Sequence, residues 1–224
     1  MVPFRQMTAI TDTVHVEFAR LLEMQPYTVV IDDLVITVDE DVFPPDLGRC
    51  AWNLAKVCAE YRPRRALDMG CGSGYLALAL KQQGVPDVWA LDLHEPAVAC
   101  TRKNLEQNAH VGPINAAVSD LFDAVPPSTE FDLVVFNQPF APAAGDGVCG
   151  CGSDGGYEIT RRFLVETQSR LALGGSAVMA FSDRAAAEND PAVVARELGY
   201  ATKTLLHAYY EESNNFIYEL RPAA

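Results

Sequence analysis

A chain of 224 residues is long enough for one well-buried domain with short additions and too short for two full ones. Its 17 Lys and Arg against 30 Asp and Glu leave a net charge of −13, which repels nucleic-acid phosphates and disfavours RNA or DNA as the substrate. No apolar run reaches the roughly 18 residues of a membrane span. Residues 1–20 scatter charges among their apolar residues without a signal-peptide core, so the expected setting is the cytoplasm, away from membranes.

The elements follow in chain order. Val14, Phe18, Leu21 and Leu22 have helical spacing and end before Pro26, which predicts a short helix. Two β-branched runs, Tyr27 to Ile31 and Leu34 to Val38, flank Asp32-Asp33 and read as a hairpin. Phe43-Pro44-Pro45-Asp46 then stiffens the chain as a connector or a lid, with Asp46 placed to cap a helix carrying Leu47, Ala51, Leu54, Val57 and Cys58. The basic cluster Arg62-Pro63-Arg64-Arg65 reads as a helix-end cap rather than an RNA reader. Residues 1–46 are therefore an N-terminal helix-and-hairpin extension and 47–224 the main domain.

From Arg65 onward strands and helices alternate, which argues a parallel sheet covered on both faces. Strands are expected at 66–69, 88–91, 114–118, 133–136, 176–181, 202–209 and 216–220. The last two are joined by the polar stretch 211–215, too short for a crossover helix, and must pair antiparallel. Six cysteines, Cys50, Cys58, Cys71, Cys100, Cys149 and Cys151, lack a framework spacing and read as reduced thiols. Cys149-Gly150-Cys151 lacks C-x-x-C spacing, and no metal site is expected.

The chemistry concentrates at strand ends. Leu67-Asp68-Met69-Gly70-Cys71-Gly72-Ser73-Gly74 reads as strand, glycine turn and helix start, a cradle for a nucleotide-type ligand. Its G-x-G-x-G spacing departs from the dinucleotide fingerprint G-x-G-x-x-G. The acid Asp68, two residues before the first glycine, suits a ligand with a cationic amine, as S-adenosylmethionine has. The strand Trp89-Ala90-Leu91 runs into Asp92-Leu93, a carboxylate about twenty residues on, where such folds hold a ribose. Asp120, after the third strand, is a candidate for the adenine amine, with Leu121 or Phe122 packing on the ring. An N-cap role competes with that reading for both acids.

The fourth strand ends Asn137-Gln138-Pro139-Phe140. An amide oxygen, a backbone carbonyl and a ring face at one strand edge suit a planar NH2 group: the Asn137 side chain and the Gln138 carbonyl take its two hydrogens and Phe140 stacks. A strand-to-loop turn is the plain alternative.

These motifs together resemble the HemK family of S-adenosylmethionine-dependent methyltransferases, which methylate a glutamine side-chain amide in release factors and ribosomal protein. The resemblance spans most of the chain from Tyr27 and rests on the hairpin leading to Val42-Phe43-Pro44-Pro45, on Asp68 to Gly74, Asp92, Asp120-Leu121 and Asn137-Gln138-Pro139-Phe140. It extends to Gly152 to Glu158 and to Arg161 to Leu164. It implies a Rossmann-like class I methyltransferase fold, α/β, with a seven-stranded, mostly parallel sheet and an antiparallel last strand. It implies a cofactor site at Asp68, Gly70, Cys71, Gly72, Gly74, Asp92, Leu93, Asp120, Leu121 and Asn137, and an acceptor site at Asn137, Gln138, Pro139 and Phe140. The family motif is N-P-P-Y, so Gln138 replaces a proline and Phe140 a tyrosine, and the segment Ala141 to Gly147 is short and rich in small residues. The expected activity is N-methylation of a planar amide or amine, first a protein glutamine. The alternatives are a small-molecule acceptor, a non-catalytic cofactor-binding partner protein and, remotely, a nicotinamide oxidoreductase.

Overall fold

The computed structural model describes residues 17–47, 49–139, 156–210 and 213–223. Phe140, Cys149, Cys151 and the small-residue segment after Phe140 lie outside them. Residues 17–24 form α1 and lead into the hairpin β1 (Tyr27–Ile31) and β2 (Leu34–Val38), which pair antiparallel. Asp32 and Asp33 both have positive φ, 49° and 67°, the signs that a tight primed turn between twisted strands requires.

The main sheet has seven strands in the order β5-β4-β3-β6-β7-β9-β8. They are β3 (Arg65–Met69), β4 (Asp87–Asp92), β5 (Asn115–Val118), β6 (Phe131–Phe136), β7 (Leu171–Ser182), β8 (Tyr200–Tyr210) and β9 (Ser213–Pro222). The first five are parallel, while β9 runs antiparallel to both of its neighbours. The helices are α2 (Cys50–Cys58), α3 (Tyr75–Gln82), α4 (Glu95–Gln107), α5 (Tyr157–Thr167) and α6 (Pro191–Glu197). All seven expected strands are present, each within a few residues of its expected ends.

The central strands are apolar on both faces because helices cover both. One face packs Ala66, Leu133, Val135, Val178 and Ala180 against α2, α3 and the hairpin residues Leu34, Ile36 and Val38. The other packs Leu67, Met69, Val134, Phe136 and Met179 against Phe163, Leu164 and Val194. The strand order reverses between β3 and β6, since the chain builds outward through β4 and β5 before returning to β6. In an open α/β sheet that reversal leaves a crevice at the carboxyl ends of the two strands.

Two sequence expectations change. Asp46 does not cap α2; the cap position is Arg49, and the Asp46 carboxylate instead accepts the Tyr27 hydroxyl at 2.5 Å. The carboxylate thus ties the connector to the hairpin. Phe122 is 1% exposed, stacked with Phe163 in the core, and is out of reach of a ligand ring. Arg62 does serve as a helix-end cap, donating to the carbonyls of Ala59 and Tyr61.

Candidate active site

The turn between β3 and α3 is held from below by its neighbours. Cys71 N–H donates to the Leu91 carbonyl at 3.0 Å, Gly72 N–H to Asp92 Oδ2 at 3.0 Å, and Gly74 N–H to the Cys71 carbonyl at 2.7 Å. From α4, Thr101 donates to the Gly72 carbonyl at 2.9 Å and Asn104 Nδ2 to the Ser73 carbonyl at 2.8 Å. Gly74 sits at φ +80° against Thr101, where a Cβ would lie 2.9 Å from the threonine Oγ1. The glycine there allows both the left-handed backbone and the close approach of α4.

Asp68 is 1% exposed. Its Oδ2 accepts the Ala77 N–H at 3.0 Å and so caps α3, while its Oδ1 is buried without a partner among the described residues. Burial pushes its carboxyl up to about 8, against the opposing pull of the Ala77 N–H and with a smaller upward push from Asp92. Asp92, at the end of β4, accepts from Gly72 N–H and, through Oδ1, from His94 N–H at 2.9 Å. Beyond it Leu93 is exposed, as is Val118 at the end of β5, so two apolar side chains border this edge of the crevice.

Asp120 sits on the same edge, half-buried, with its Oδ2 3.0 Å from Arg162 of α5. Leu121 follows at φ 45° and is 4% exposed, its carbonyl accepting the Ser119 hydroxyl at 2.7 Å. Across the reversal, Asn137 leaves β6 with its Oδ1 buried and, among the described residues, unpartnered. Gln138 turns the other way: it is 2% exposed, and its Oε1 lies 2.9 Å from the Thr160 hydroxyl of α5. Pro139 is half-buried at the end of this segment.

The structure therefore gathers Asp68, Gly70 to Gly74, Asp92, Leu93, Asp120, Leu121 and Asn137 along the carboxyl edge of β3, β4, β5 and β6. Phe140 lies outside the described residues. Sequence reasoning missed the supports Thr101, Asn104 and Thr160. A signal was available for the first two, since they are fully buried polar residues on the apolar face of α4, beside Ala97, Val98 and Cys100.

A family model described as "Methyltransferase small domain" matches residues 50–203, more than half of the chain. The chain belongs to this methyltransferase small domain family. A ribosomal protein L11 methyltransferase of Limosilactobacillus fermentum is 41% identical over 71 residues, 32% of this chain and 22% of that protein. A Methanocaldococcus jannaschii protein, provisionally named a protein N5-glutamine methyltransferase, is 28% identical over 131 residues, 54% of this chain and 64% of that one. The chain thus spans less than two thirds of these relatives. Among solved structures, the T. thermophilus 16S rRNA N2 G1207 methyltransferase, in complex with AdoMet and guanosine, superposes with a TM-score of 0.67 at 22% identity, over 88% of this chain and 50% of that one. This likeness shows the fold, the Rossmann-like class I arrangement expected from the sequence.

S-adenosylmethionine, the cofactor of this fold class, fits the residues present. Among the described residues the buried Asp68 Oδ1 lacks a partner, the glycine turn leaves Gly70 exposed at the strand end, and Asp92 keeps lone pairs free beside its two N–H contacts.

Proposed function

We propose that the chain is an S-adenosylmethionine-dependent N-methyltransferase acting on a planar amide or amine nitrogen, with a protein glutamine side chain as the first acceptor. The observation that carries this reading is Asn137 Oδ1, buried without a partner among the described residues, across the strand reversal from the glycine turn. Leaving such an atom unmatched costs about 1–3 kcal/mol, a cost that makes sense where a donor arrives with the substrate.

In this reading Asp68, Gly70, Cys71, Gly72 and Gly74 cradle the cofactor's methionine end, Asp92 takes the ribose hydroxyls, and Asp120, Leu93 and Leu121 border the adenine. When bound, S-adenosylmethionine supplies an electrophilic methyl group. Asn137 Oδ1 and the Gln138 carbonyl each accept one hydrogen of the acceptor NH2, which turns the nitrogen lone pair toward that methyl. Stacking on the acceptor plane is assigned from the sequence to Phe140, which lies outside the described residues. Positioning of this kind supplies much of a rate enhancement without a general base, and the released proton passes to solvent. The hairpin of residues 27–38 extends this domain, packing Leu34, Ile36 and Val38 into its core.

The glutamine assignment is supported by the N-Q-P-F motif and by the jannaschii relative. The second reading, a small-molecule acceptor, is supported by the altered N-Q-P-F motif and by the short, small-residue-rich sequence Ala141 to Gly147. The net charge of −13 argues against RNA. Calorimetry with S-adenosylhomocysteine and with NAD tests the cofactor; binding of NAD alone would sink the proposal. Labelled cofactor offered with a glutamine-bearing release-factor peptide or with a metabolite extract then separates the two acceptors.

A further inference from the structure

The side chains on the α2/α3 face of the sheet follow strict alternation: Leu133 and Val135 on β6, Val178 and Ala180 on β7, and Ile217 on β9 share one core. Continuing each alternation outward places Asn137 and Ser182 on that same face. Ser182 pairs in register with Asn215, while Phe136 pairs with Met179. Ser182 therefore lies one strand over from Asn137 and about two residues further out, roughly 8 Å away at ideal strand spacings.

Ser182 is 3% exposed, and its Oγ is buried without a partner among the described residues. The groups around it are committed elsewhere. Its own carbonyl accepts from Ala185 N–H at 3.0 Å, and the Asn215 amide donates to the carbonyls of Ser213 and Tyr210 and to the Ser213 hydroxyl. The Asp183 carboxylate next to it is held by Asn214 N–H and Nδ2 at 2.9 and 2.6 Å. The strand end is thus fixed while one hydroxyl on it stays unmatched. By the same alternation Asp68, Asn137 and Ser182 fall on one face of the adjacent strands β3, β6 and β7, and Asp68 Oδ1, Asn137 Oδ1 and Ser182 Oγ are each buried without a partner among the described residues.

We infer that Ser182 is a binding residue for the methyl acceptor and that it selects the acceptor's class. Asn137 Oδ1 can only accept, so it meets the NH2; the Ser182 hydroxyl can donate, and meets an oxygen or ring nitrogen on the carbon that bears the NH2. The site then takes carboxamides and amidine-like groups and rejects alkyl amines, which leave the hydroxyl unmatched. This inference rests on the proposed methyl-transfer reading and deepens it.

The test uses the full chain saturated with S-adenosylhomocysteine, titrated calorimetrically with a glutamine-centred peptide, its lysine counterpart and guanosine. The expected result is binding of the glutamine peptide or guanosine and none of the lysine peptide. Ser182→Ala should weaken that binding about 5- to 30-fold, Ser182→Thr should restore most of it, and S-adenosylhomocysteine affinity should not move. Because the hydroxyl has no partner among the described residues, Ser182→Ala should also leave the melting temperature unchanged or raise it, whereas a structural serine would lower it. Equal binding of the lysine peptide, no binding of any probe, unchanged binding in Ser182→Ala or a lowered melting temperature overturns the inference. If Asn137→Ala weakens binding and Ser182→Ala does not, only the serine's role fails; failure to bind S-adenosylhomocysteine removes the methyl-transfer reading itself.

Discussion

Asp68 Oδ2 accepts the Ala77 N–H at 3.0 Å while Oδ1, on the same carboxyl, meets no described partner. One oxygen serves the fold, and in the proposed function the other meets the cofactor. Burial pushes the Asp68 carboxyl up to about 8, which favours its protonated form in the free protein.

A cationic amine brought beside Oδ1 favours the ionised form, so binding S-adenosylhomocysteine should release a proton near pH 7. Affinity should rise from pH 6 to pH 8 and level off above, and Asp68→Asn should abolish that slope. Calorimetry in buffers of different ionisation enthalpy measures the proton directly; a flat profile in the unaltered protein would count against the arrangement. The sign for stability is opposite. The unfolded carboxyl ionises near 3.9 and the folded one near 8. The folded state therefore holds the extra proton between them, and the ligand-free protein loses stability as pH climbs through that window. Asp68→Asn should flatten this decline in thermal melts.

Asn137→Ala should leave S-adenosylhomocysteine affinity within about twofold and lower turnover by roughly 100-fold or more, the scale for removing one preorganised polar contact at a reacting group. Because Oδ1 has no protein partner among the described residues, the melting temperature should stay within a few degrees. Single-turnover transfer beside a melt separates the two effects; retained turnover would remove Asn137 from the mechanism.

The strands and the glycine cradle were legible because short-range chemistry sets them. The β-branched runs and the glycines at 70, 72 and 74 act within a few residues, and the acids at 68 and 92 are found at the strand ends that those runs mark. Asp46 misled for the opposite reason. A lone acid before an apolar stripe is an ordinary capping signal, but Tyr27, nineteen residues earlier, competes for its carboxylate. Phe122 misled because a ring next to a candidate adenine contact is indistinguishable in sequence from a core ring, and only the stack on Phe163 decides. Ser182 carried no signal at all, since its meaning depends on the strand order.

Gly74→Ala tests the contact between the turn and α4. The added Cβ would meet Thr101 Cγ2 and Oγ1 at 2.9 Å, at a backbone φ of +80°. Strain of this kind costs about 1–3 kcal/mol, and the threonine that yields is the one holding the Gly72 carbonyl. A lower melting temperature together with weaker S-adenosylhomocysteine binding is expected. Gly84→Ala, at φ +91° with no atom within 4 Å, should cost stability without touching affinity.

Asn104 and Asn108, four apart on α4, act as a substitute strand for β2. Asn104 accepts from Thr37 N–H at 2.9 Å and donates to its carbonyl at 2.7 Å; Asn108 does the same for Val35 at 3.0 and 2.8 Å. Asn104 alone also donates to Ser73 in the glycine turn. Both alanine variants should destabilise by about 2–4 kcal/mol, since each strands two backbone groups of β2. Only Asn104→Ala should also weaken S-adenosylhomocysteine binding. Equal affinity loss in both would mean that the hairpin, and not the Ser73 contact, sets the turn.

Thr160 Oγ1 lies 2.9 Å from Gln138 Oε1 and 2.8 Å from the Gly156 carbonyl, yet a hydroxyl has one hydrogen to give. Turning the Gln138 amide over resolves the conflict: Nε2 then donates to Oγ1, and Oγ1 donates to Gly156. The turned amide also gives a partner to Nε2, which otherwise has none among the described residues. This relay makes the two residues unequal. Gln138→Met removes the amide and leaves the Thr160 to Gly156 bond intact, so it should cost under about 1.5 kcal/mol, as volume-conserving swaps do. Thr160→Val strands a buried amide and should cost about 1–3 kcal/mol. The double variant should recover most of that loss, because no polar group is then left unmatched. A double-mutant cycle from urea unfolding measures the coupling, and additive costs would show that the amide and the hydroxyl do not depend on each other.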